Sequence, residues 1–327
     1  MKLNLVIDGN YLLNKDVFIL FGEKTLYSDL PLLLKKDMER MLKMYNFDNI
    51  YFVSDSKNGW RSRIYQQYKK NRKLNDKIDW NEVFDIYNEF KEYLKSKSNI
   101  HFYEVEGAEG DDLISYIVHE SNKKGISNFI VANDNDLHQL IEFNLGLKYI
   151  NMIYNYKISD EKTYLPKNFK IFLKEVVYNS KPNLFDMSDD IELSDFIDHL
   201  ISKTKIYEID NEEMLFCKLI IGDKKDNVPS IYTKKSKDLK ERGIGKAGGL
   251  SIYKLYKETN NEIINFHDDN FIDKSVDIVS FTKKIRDNDQ LNTIKDKLIL
   301  NRKLLILNDK YIPSDLMNNI KKIVKIY

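Results

Sequence analysis

Three short apolar runs each stop at an acid, and this repeat constrains the fold more than any other feature of the chain. Leu3-Asn4-Leu5-Val6-Ile7 precedes Asp8, Ile50-Tyr51-Phe52-Val53-Ser54 precedes Asp55, and Phe129-Ile130-Val131-Ala132-Asn133 precedes Asp134. Runs of about five residues rich in Val, Ile, Phe and Tyr read as buried strands. Helical spacing lies between them. Leu33, Leu34, Met38, Met41, Leu42 and Tyr45 mark one helix over 30–45; Val83, Ile86, Tyr87, Phe90 and Leu94 mark another over 82–94. Leu113, Ile114, Ile117 and Val118 mark a third. Alternating strands and helices predict an α/β fold with a mostly parallel central sheet flanked by helices. Such sheets bind ligands beyond the carboxyl ends of their strands, where the three acids stand.

The 327 residues leave room for two domains. Residues 150–215 are rich in Tyr, Asn and Lys, with Pro166, Pro182 and an acidic patch at Asp189-Asp190-Ile191-Glu192; they read as an elaboration of the first domain. From about Glu213 the chain turns helical, through Met214-Leu215-Phe216 and Leu219-Ile220-Ile221. The expected division is a core of residues 1–212 and a helical domain of 213–327. The net charge of +1 and 12% aromatic content exclude disorder driven by charge of one sign. Cys217 is the sole cysteine, which excludes an internal disulfide or a cysteine-based zinc site and fits a reducing cytoplasm. No apolar run approaches the roughly 18 residues of a membrane span. The N-terminus turns acidic too soon for a signal peptide and reads as a mature first strand.

Acids recur in five clusters: Asp8; Asp55; Glu109, Asp111 and Asp112; Asp134 and Asp136; Asp223 and Asp226. Hard divalent cations take oxygen ligands and keep several waters, so nine carboxylates suit two metal positions. Without a cation, converging carboxylates raise one another's pKa values. Asp223 and Asp226 share a face if helical. Asp134 and Asp136 share a side if extended. Glu109 to Asp112 precede a helical run, where acids are also favourable simply as helix N-terminal residues. Setting the nine aside from 51 acids leaves 42 against 52 bases, a surface of about +10 that suits a phosphodiester substrate.

The bases are not evenly spread. Residues 57–73 hold Lys57, Arg61, Arg63, Lys69, Lys70, Arg72 and Lys73, no acid, and the aromatics Trp60, Tyr65 and Tyr68. Cations that track phosphates and rings that stack on bases suit a single strand. A second basic stretch, Lys234, Lys235, Lys237, Lys240, Arg242 and Lys246 against Asp238 and Glu241, enters Gly243-Ile244-Gly245-Lys246-Ala247-Gly248-Gly249 and an apolar helix. Glycines there admit phosphate to backbone N–H groups or serve close packing. The spacing is not that of a P-loop. The histidines, His101, His119, His138, His199 and His267, are scattered, and no nucleophile motif accompanies them.

Together these residues resemble the structure-specific 5′ nuclease family of flap endonucleases and 5′-3′ exonucleases, and most of all its ribonuclease H branch from T-even-type bacteriophages. The likeness runs through Val6-Ile7-Asp8-Gly9, Asp55, Tyr68-Lys69-Lys70-Asn71-Arg72, Glu109-Gly110-Asp111-Asp112, Asp134-Asn135-Asp136, Gly222-Asp223-Lys224-Lys225-Asp226-Asn227-Val228-Pro229 and Gly243-Ile244-Gly245. Leu305-Ile306-Leu307 to Tyr311-Ile312-Pro313 also fits the phage type. Gly110 replaces a usual Ala, a small change, and the stretch from Val228 to Gly243 is longer than in many members.

The resemblance implies a PIN-like core with a helical arch at about 57–80 and a C-terminal helix-three-turn-helix that grips duplex. It implies cleavage of DNA flaps, nicked duplex and RNA primers in RNA–DNA hybrids by a two-metal scheme, in primer removal during replication. Asp8, Asp55, Glu109 and Asp111 fall to one Mg²⁺, and Asp134, Asp136 and Asp223 to the second; Mn²⁺ can substitute. Asp112 and Asp226 then act through waters. Lys69 and Arg72 reach the scissile phosphate as catalytic residues. Arg61, Arg63, Tyr65, Tyr68, Lys70, Gly243, Gly245 and Lys246 are the implied nucleic-acid contacts, with K⁺ at the glycine hairpin. A monomer is implied, with a single-stranded DNA-binding protein or sliding clamp as partner, in the host cytoplasm if phage-encoded. A junction-binding protein that no longer cuts and a PIN-type RNA nuclease are the alternatives.

Overall fold

The computed structural model describes residues 1–156, 160–178, 190–235, 241–260 and 263–327. Pro182, Asp189, Lys237, Asp238 and Lys240 lie outside them. In chain order the elements are β1 (Leu3–Asp8), α1 (Gly9–Leu20), α2 (Leu26–Leu42), β2 (Asn49–Val53), α3 (Trp60–Ile64), α4 (Trp80–Lys95), β3 (His101–Tyr103), α5 (Gly110–Lys123), β4 (Ser127–Val131), β5 (Phe143–Asn144), β6 (Tyr149–Asn155) and β7 (Lys162–Pro166). There follow α6 (Phe169–Phe172), α7 (Asp190–Lys203), β8 (Lys205–Ile209), α8 (Asn211–Ile221), β9 (Thr233–Lys235), β10 (Glu241–Gly243), α9 (Lys246–Asn260), α10 (Asp269–Lys283), α11 (Asn288–Leu305) and α12 (Ser314–Ile323). Among the described residues no helix is long and apolar enough to cross a membrane.

Two compact units divide the chain. The first comprises Met1–Trp60, Leu74–Ile209 and Asn308–Tyr327, the second Arg61–Lys73 and Asp210–Leu307. In the first, the strands run β3-β2-β1-β4-β6-β7-β8 with β5 antiparallel beside β6; β3, β2, β1, β4 and β6 are parallel, and β7 reverses. The α/β fold with a mostly parallel sheet flanked by helices is therefore the one observed. One face carries Leu3, Leu5, Ile7, Phe52, Phe129, Val131 and Met152, buried with Leu12, Val17, Leu30, Leu34, Val83 and Phe90 of the covering helices. The strands are buried from both sides, which is why they read as continuous apolar runs rather than alternating ones. Phe172, Leu193, Phe196 and Leu200, from the stretch that carried no legible elements, join the same core.

The other face holds a polar ladder. Asn49, Asn4, Asn128 and Asn151 stand level on β2, β1, β4 and β6. Their amides pass hydrogen bonds along it: Asn49 Nδ2 to Asn4 Oδ1 at 3.0 Å, Asn4 to Asn128 at 3.4 Å, and Asn128 to Asn151 at 2.9 Å. A slip of one residue on any strand would bury these amides without partners among apolar side chains, so the ladder favours this register.

Among the described residues, the regular elements of the second unit are helices and the ribbon of β9 and β10, which pair antiparallel between α8 and α9 in the chain. Its strands occupy Thr233–Lys235 and Glu241–Gly243 of the long stretch after Val228. Within 57–80, where a helical arch was expected, the five residues of α3 are helical, Trp80 opens α4, and the rest is turn and loop.

Candidate active site

Asp8 ends β1 and starts α1: its Oδ1 accepts from the Asn10 and Tyr11 N–H groups, both at 3.0 Å. Asp55 lies two residues beyond β2, and its carboxylate is gripped from two sides. Oδ1 accepts from the Gly110 N–H at 2.6 Å, at the start of α5, and Oδ2 from Asn10 Nδ2 at 2.8 Å. Asp134 follows β4 and accepts from the Asp136 N–H at 2.9 Å. β2, β1 and β4 are adjacent and parallel, with Ile7 level with Phe52 and Val131, so their carboxyl ends deliver three acids to one neighbourhood. The electrostatics carry the signature. Burial chiefly, then the charges of Asp55 and Asp134, push Asp8 from 3.8 up to about 7 against its two amide bonds.

Among the described residues no three Asp, Glu, His or Cys side chains close around one point tightly enough to hold a metal ion directly. The donor set still fits a hard divalent cation. It is made of carboxylate oxygens, such ions retain waters between themselves and the protein, and a cation relieves the repulsion at Asp8. Seats for further acids are close-fitting. A Cβ on Gly59 would stand 2.9 Å from Glu109 Oε1, and one on Gly110 would stand 3.0 Å from Asp55 Oδ1. The Gly110 departure from the family pattern thus removes a methyl from beside Asp55, more than a neutral exchange. Asp111 is half-buried in the first turn of α5.

Several expectations need correction. Asp136 is not on an extended segment with Asp134; Asp134 caps a 3₁₀ turn, Asn135–Leu140, which contains Asp136. Asp112, expected to reach metal through water, is buried, and its Oδ2 accepts from the Glu109 N–H at 3.0 Å and the Trp60 indole at 2.9 Å. It closes the first turn of α5, the helix-terminal role that acids there can also fill. Trp60 is therefore buried rather than offered for stacking. Arg61, expected on nucleic acid, is 1% exposed, with Nε donating to the Leu304 carbonyl at 2.9 Å. Tyr68, another stacking candidate, is also buried. His138 is a core residue, its ring 4.5 Å from that of Tyr164 and its pKa pushed down by burial to about 4.

In the second unit Asp223 and Asp226 sit in a turn, not on a helical face. Asp223 and Val228 bridge it through mutual backbone bonds of 3.0 and 2.7 Å. Burial raises the Asp223 pKa, but Lys218, 3.0 Å away, and two amide donors hold it below the usual value. Arg72, expected at the scissile phosphate, donates Nε and Nη2 to Oδ1 of buried Asp226, expected near metal. Lys69 is half-buried, with φ 57°, its N–H bound to the Asp226 carbonyl at 2.9 Å and its ammonium 4.9 Å from the Tyr68 ring. Arg63, Lys70 and Lys73 are exposed and Tyr65 half-exposed. At the ribbon, Gly245 and Lys246 are exposed, whereas a Cβ on Gly249 would stand 2.7 Å from Ile221 Cδ1, so that glycine serves helix packing. Arg72→Ala is expected to cost about 2 kcal/mol by stranding a buried carboxylate. Urea denaturation checks this: an unchanged midpoint with reduced turnover would return Arg72 to a purely catalytic role.

Asn10 and Lys218 escaped the sequence reading. The available signal for each was proximity in sequence to an acid, two residues from Asp8 and five from Asp223.

The family model for the 5′-3′ exonuclease N-terminal resolvase-like domain matches residues 4–171, which include Asp8, Asp55, Glu109, Asp111, Asp112, Asp134 and Asp136. The chain belongs to the 5′-3′ exonuclease family. A 5′-3′ exonuclease of Mycoplasmopsis pulmonis is 29% identical over 189 residues, 58% of this chain and 60% of that protein. One from Aquifex aeolicus is 24% identical over 278 residues, 81% of this chain and 74% of its own. Two bacteriophage T5 structures share the 5′-3′ exonuclease fold over 98% of this chain and 97% of theirs, at 14% identity. One is the D15 protein co-crystallised with metal ions, TM-score 0.60; the other is the D15 flap endonuclease as a pseudo-enzyme–product complex with DNA and metal ions, TM-score 0.58.

Proposed function

We propose that this chain is a divalent-metal-dependent 5′ nuclease that hydrolyses phosphodiesters near the 5′ end of flapped or nicked DNA. The observation that carries the proposal is the convergence of Asp8, Asp55 and Asp134 at three adjacent strand ends, where burial first and then the charges of Asp55 and Asp134 raise the Asp8 pKa. Asp8, Asp55 and Asp134 would hold Mg²⁺ or Mn²⁺ in part through waters that the ion retains, and the ion when bound would supply a water nucleophile at neutral pH and offset charge on the phosphate. Asp8 and Asp55 are oriented before substrate arrives, by the amide and side-chain donors described above. Exposed Arg63, Lys70 and Lys73 attract the phosphate backbone, and Tyr65 offers a ring to an unpaired base. The T5 complex with DNA and metal ions supports this reading. Nothing in this chemistry depends on the sugar of the strand being cut, so we extend the proposal to the RNA strand of an RNA–DNA hybrid and hence to primer removal.

The test is cleavage of matched 5′-flap, nicked and RNA–DNA hybrid substrates with Mg²⁺ and with EDTA. Short 5′-phosphorylated products that vanish in EDTA are expected. Tight binding of the flap with no cleavage in Mg²⁺ or Mn²⁺ would overturn the proposal in favour of a junction-binding protein.

A further inference from the structure

We infer that Asn10 is a positioning residue that sets the spacing of Asp8 and Asp55 for a divalent cation; the inference rests on the metal-dependent reading above. Asn10 occupies the first turn of α1, and each of its polar groups near the acids is committed. Its own N–H donates to Asp8 Oδ1 at 3.0 Å. Its side-chain Nδ2 donates to Asp55 Oδ2 at 2.8 Å, and its Oδ1 accepts from the Asp55 N–H at 3.0 Å.

The amide orientation is fixed by chemistry. A backbone N–H can only donate, so oxygen must face it; an ionised carboxylate can only accept, so nitrogen must face that. One side chain therefore holds both the backbone and the carboxylate of Asp55 while its main chain holds Asp8. The two acids come from different strands, 47 positions apart in the sequence. Behind Asn10, the Ser54 hydroxyl reaches Oδ1 at 3.3 Å and is itself approached by the Tyr87 hydroxyl at 3.3 Å. Tyr87 is buried, so this column is anchored in the core. Groups that orient metal-binding carboxylates typically alter metal affinity or activity by about ten- to a hundredfold when removed.

Asn10→Ala is compared with wild type and with Asn14→Ala. Asn14 lies one turn along α1, exposed, and donates only to the Asn10 carbonyl. Mn²⁺ affinity is measured directly by electron paramagnetic resonance, and the Mg²⁺ concentration for half-maximal flap cleavage is measured alongside. The expected result is a loss of about tenfold or more in Mn²⁺ affinity for Asn10→Ala, a matching rise in the Mg²⁺ requirement, and wild-type values for Asn14→Ala. Saturating Mg²⁺ should restore much of the Asn10→Ala rate, which a general loss of fold would not allow. Should Asn10→Ala fail to fold, Asn10→Ser takes its place, because a hydroxyl is too short to span both groups of Asp55. Wild-type Mn²⁺ affinity in a folded Asn10 variant overturns the inference alone. Failure of the wild type itself to bind Mn²⁺ overturns the metal-dependent reading, and this inference with it.

Discussion

Asp8→Asn is expected to reduce Mg²⁺-dependent flap cleavage by about a thousandfold, the upper end of what one lost transition-state stabiliser costs, and yet to raise the melting temperature of the metal-free protein. The two effects share a cause. Burial and the charges of Asp55 and Asp134 raise the folded-state pKa of Asp8 from 3.8 to about 7. Between those values the folded state holds a proton that the unfolded state has lost, so stability in EDTA falls as pH rises from about 4 to about 7. Above 7 the full penalty remains. Asparagine keeps the shape and an oxygen able to accept from the Asn10 and Tyr11 N–H groups, but carries no charge. It should therefore flatten that pH dependence and stabilise the metal-free protein by several degrees near pH 8. Mg²⁺ should raise the wild-type melting temperature by more than that of the variant, because only the wild type has the repulsion to relieve. Thermal melts from pH 4 to 8, with EDTA and with Mg²⁺, and a flap assay check both halves. Unchanged turnover would remove the metal role; a lower melting temperature in EDTA would mean that Asp8 acts mainly as the cap of α1.

What was legible in the sequence follows from how each feature is encoded. A parallel strand buried on both faces is apolar at most of its positions, so Leu3–Ile7, polar only at Asn4, and Phe129–Val131 announced themselves, and the acids after them marked the carboxyl ends. β7 and β8 escaped because they lie at the side of the sheet away from β1, and β8 has no buried residue: Lys205-Ile206-Tyr207-Glu208-Ile209 shows neither a continuous apolar run nor a clean alternation of buried and exposed positions. The basic segment misled in part. Trp60 and Arg61 are large side chains with one polar end, and such groups can be buried wherever that end finds a partner. Asp112 and Leu304 supply those partners 52 and 243 residues away, and no local pattern reports them. The pairing of Arg72 with Asp226, 154 positions apart, was hidden for the same reason. Asn10 was invisible in another way: a polar residue in the first turn of a helix is ordinary, and its use becomes clear only when Asp55 stands opposite.

Gly222→Ala is expected to destabilise the protein by about 3–5 kcal/mol, from backbone strain and overpacking together. Gly222 has φ 77° and ψ −171°, a conformation almost confined to glycine. A Cβ there would stand 2.4 Å from the Pro229 carbonyl oxygen and 2.5 Å from that of Val228. Neither can step aside. The Val228 oxygen is held by the Asp223 N–H at 3.0 Å, and the Pro229 oxygen by Asn301 Nδ2 at 2.9 Å. Asn301 is fully buried, and the same nitrogen holds the Leu219 carbonyl at 2.9 Å, so one amide ties the end of α8 to the far side of the turn. A methyl at 222 therefore either distorts α8 or breaks the bridge between Asp223 and Val228. Breaking the bridge would also unseat the bonds from Lys225 N–H and Asp226 N–H to Asp223 Oδ1, at 2.7 and 3.3 Å, and free Asp226 from Arg72. Gly245→Ala is the control, because no atom lies within 4 Å of its added Cβ and its φ is not positive; it should stay within about 0.5 kcal/mol of wild type. Urea denaturation of both variants, with hydrogen exchange at residues 222–229, decides the matter. A Gly222→Ala midpoint equal to that of Gly245→Ala would mean that the turn can open at little cost, and that Asp223 and Asp226 are not held in place by the backbone around Gly222.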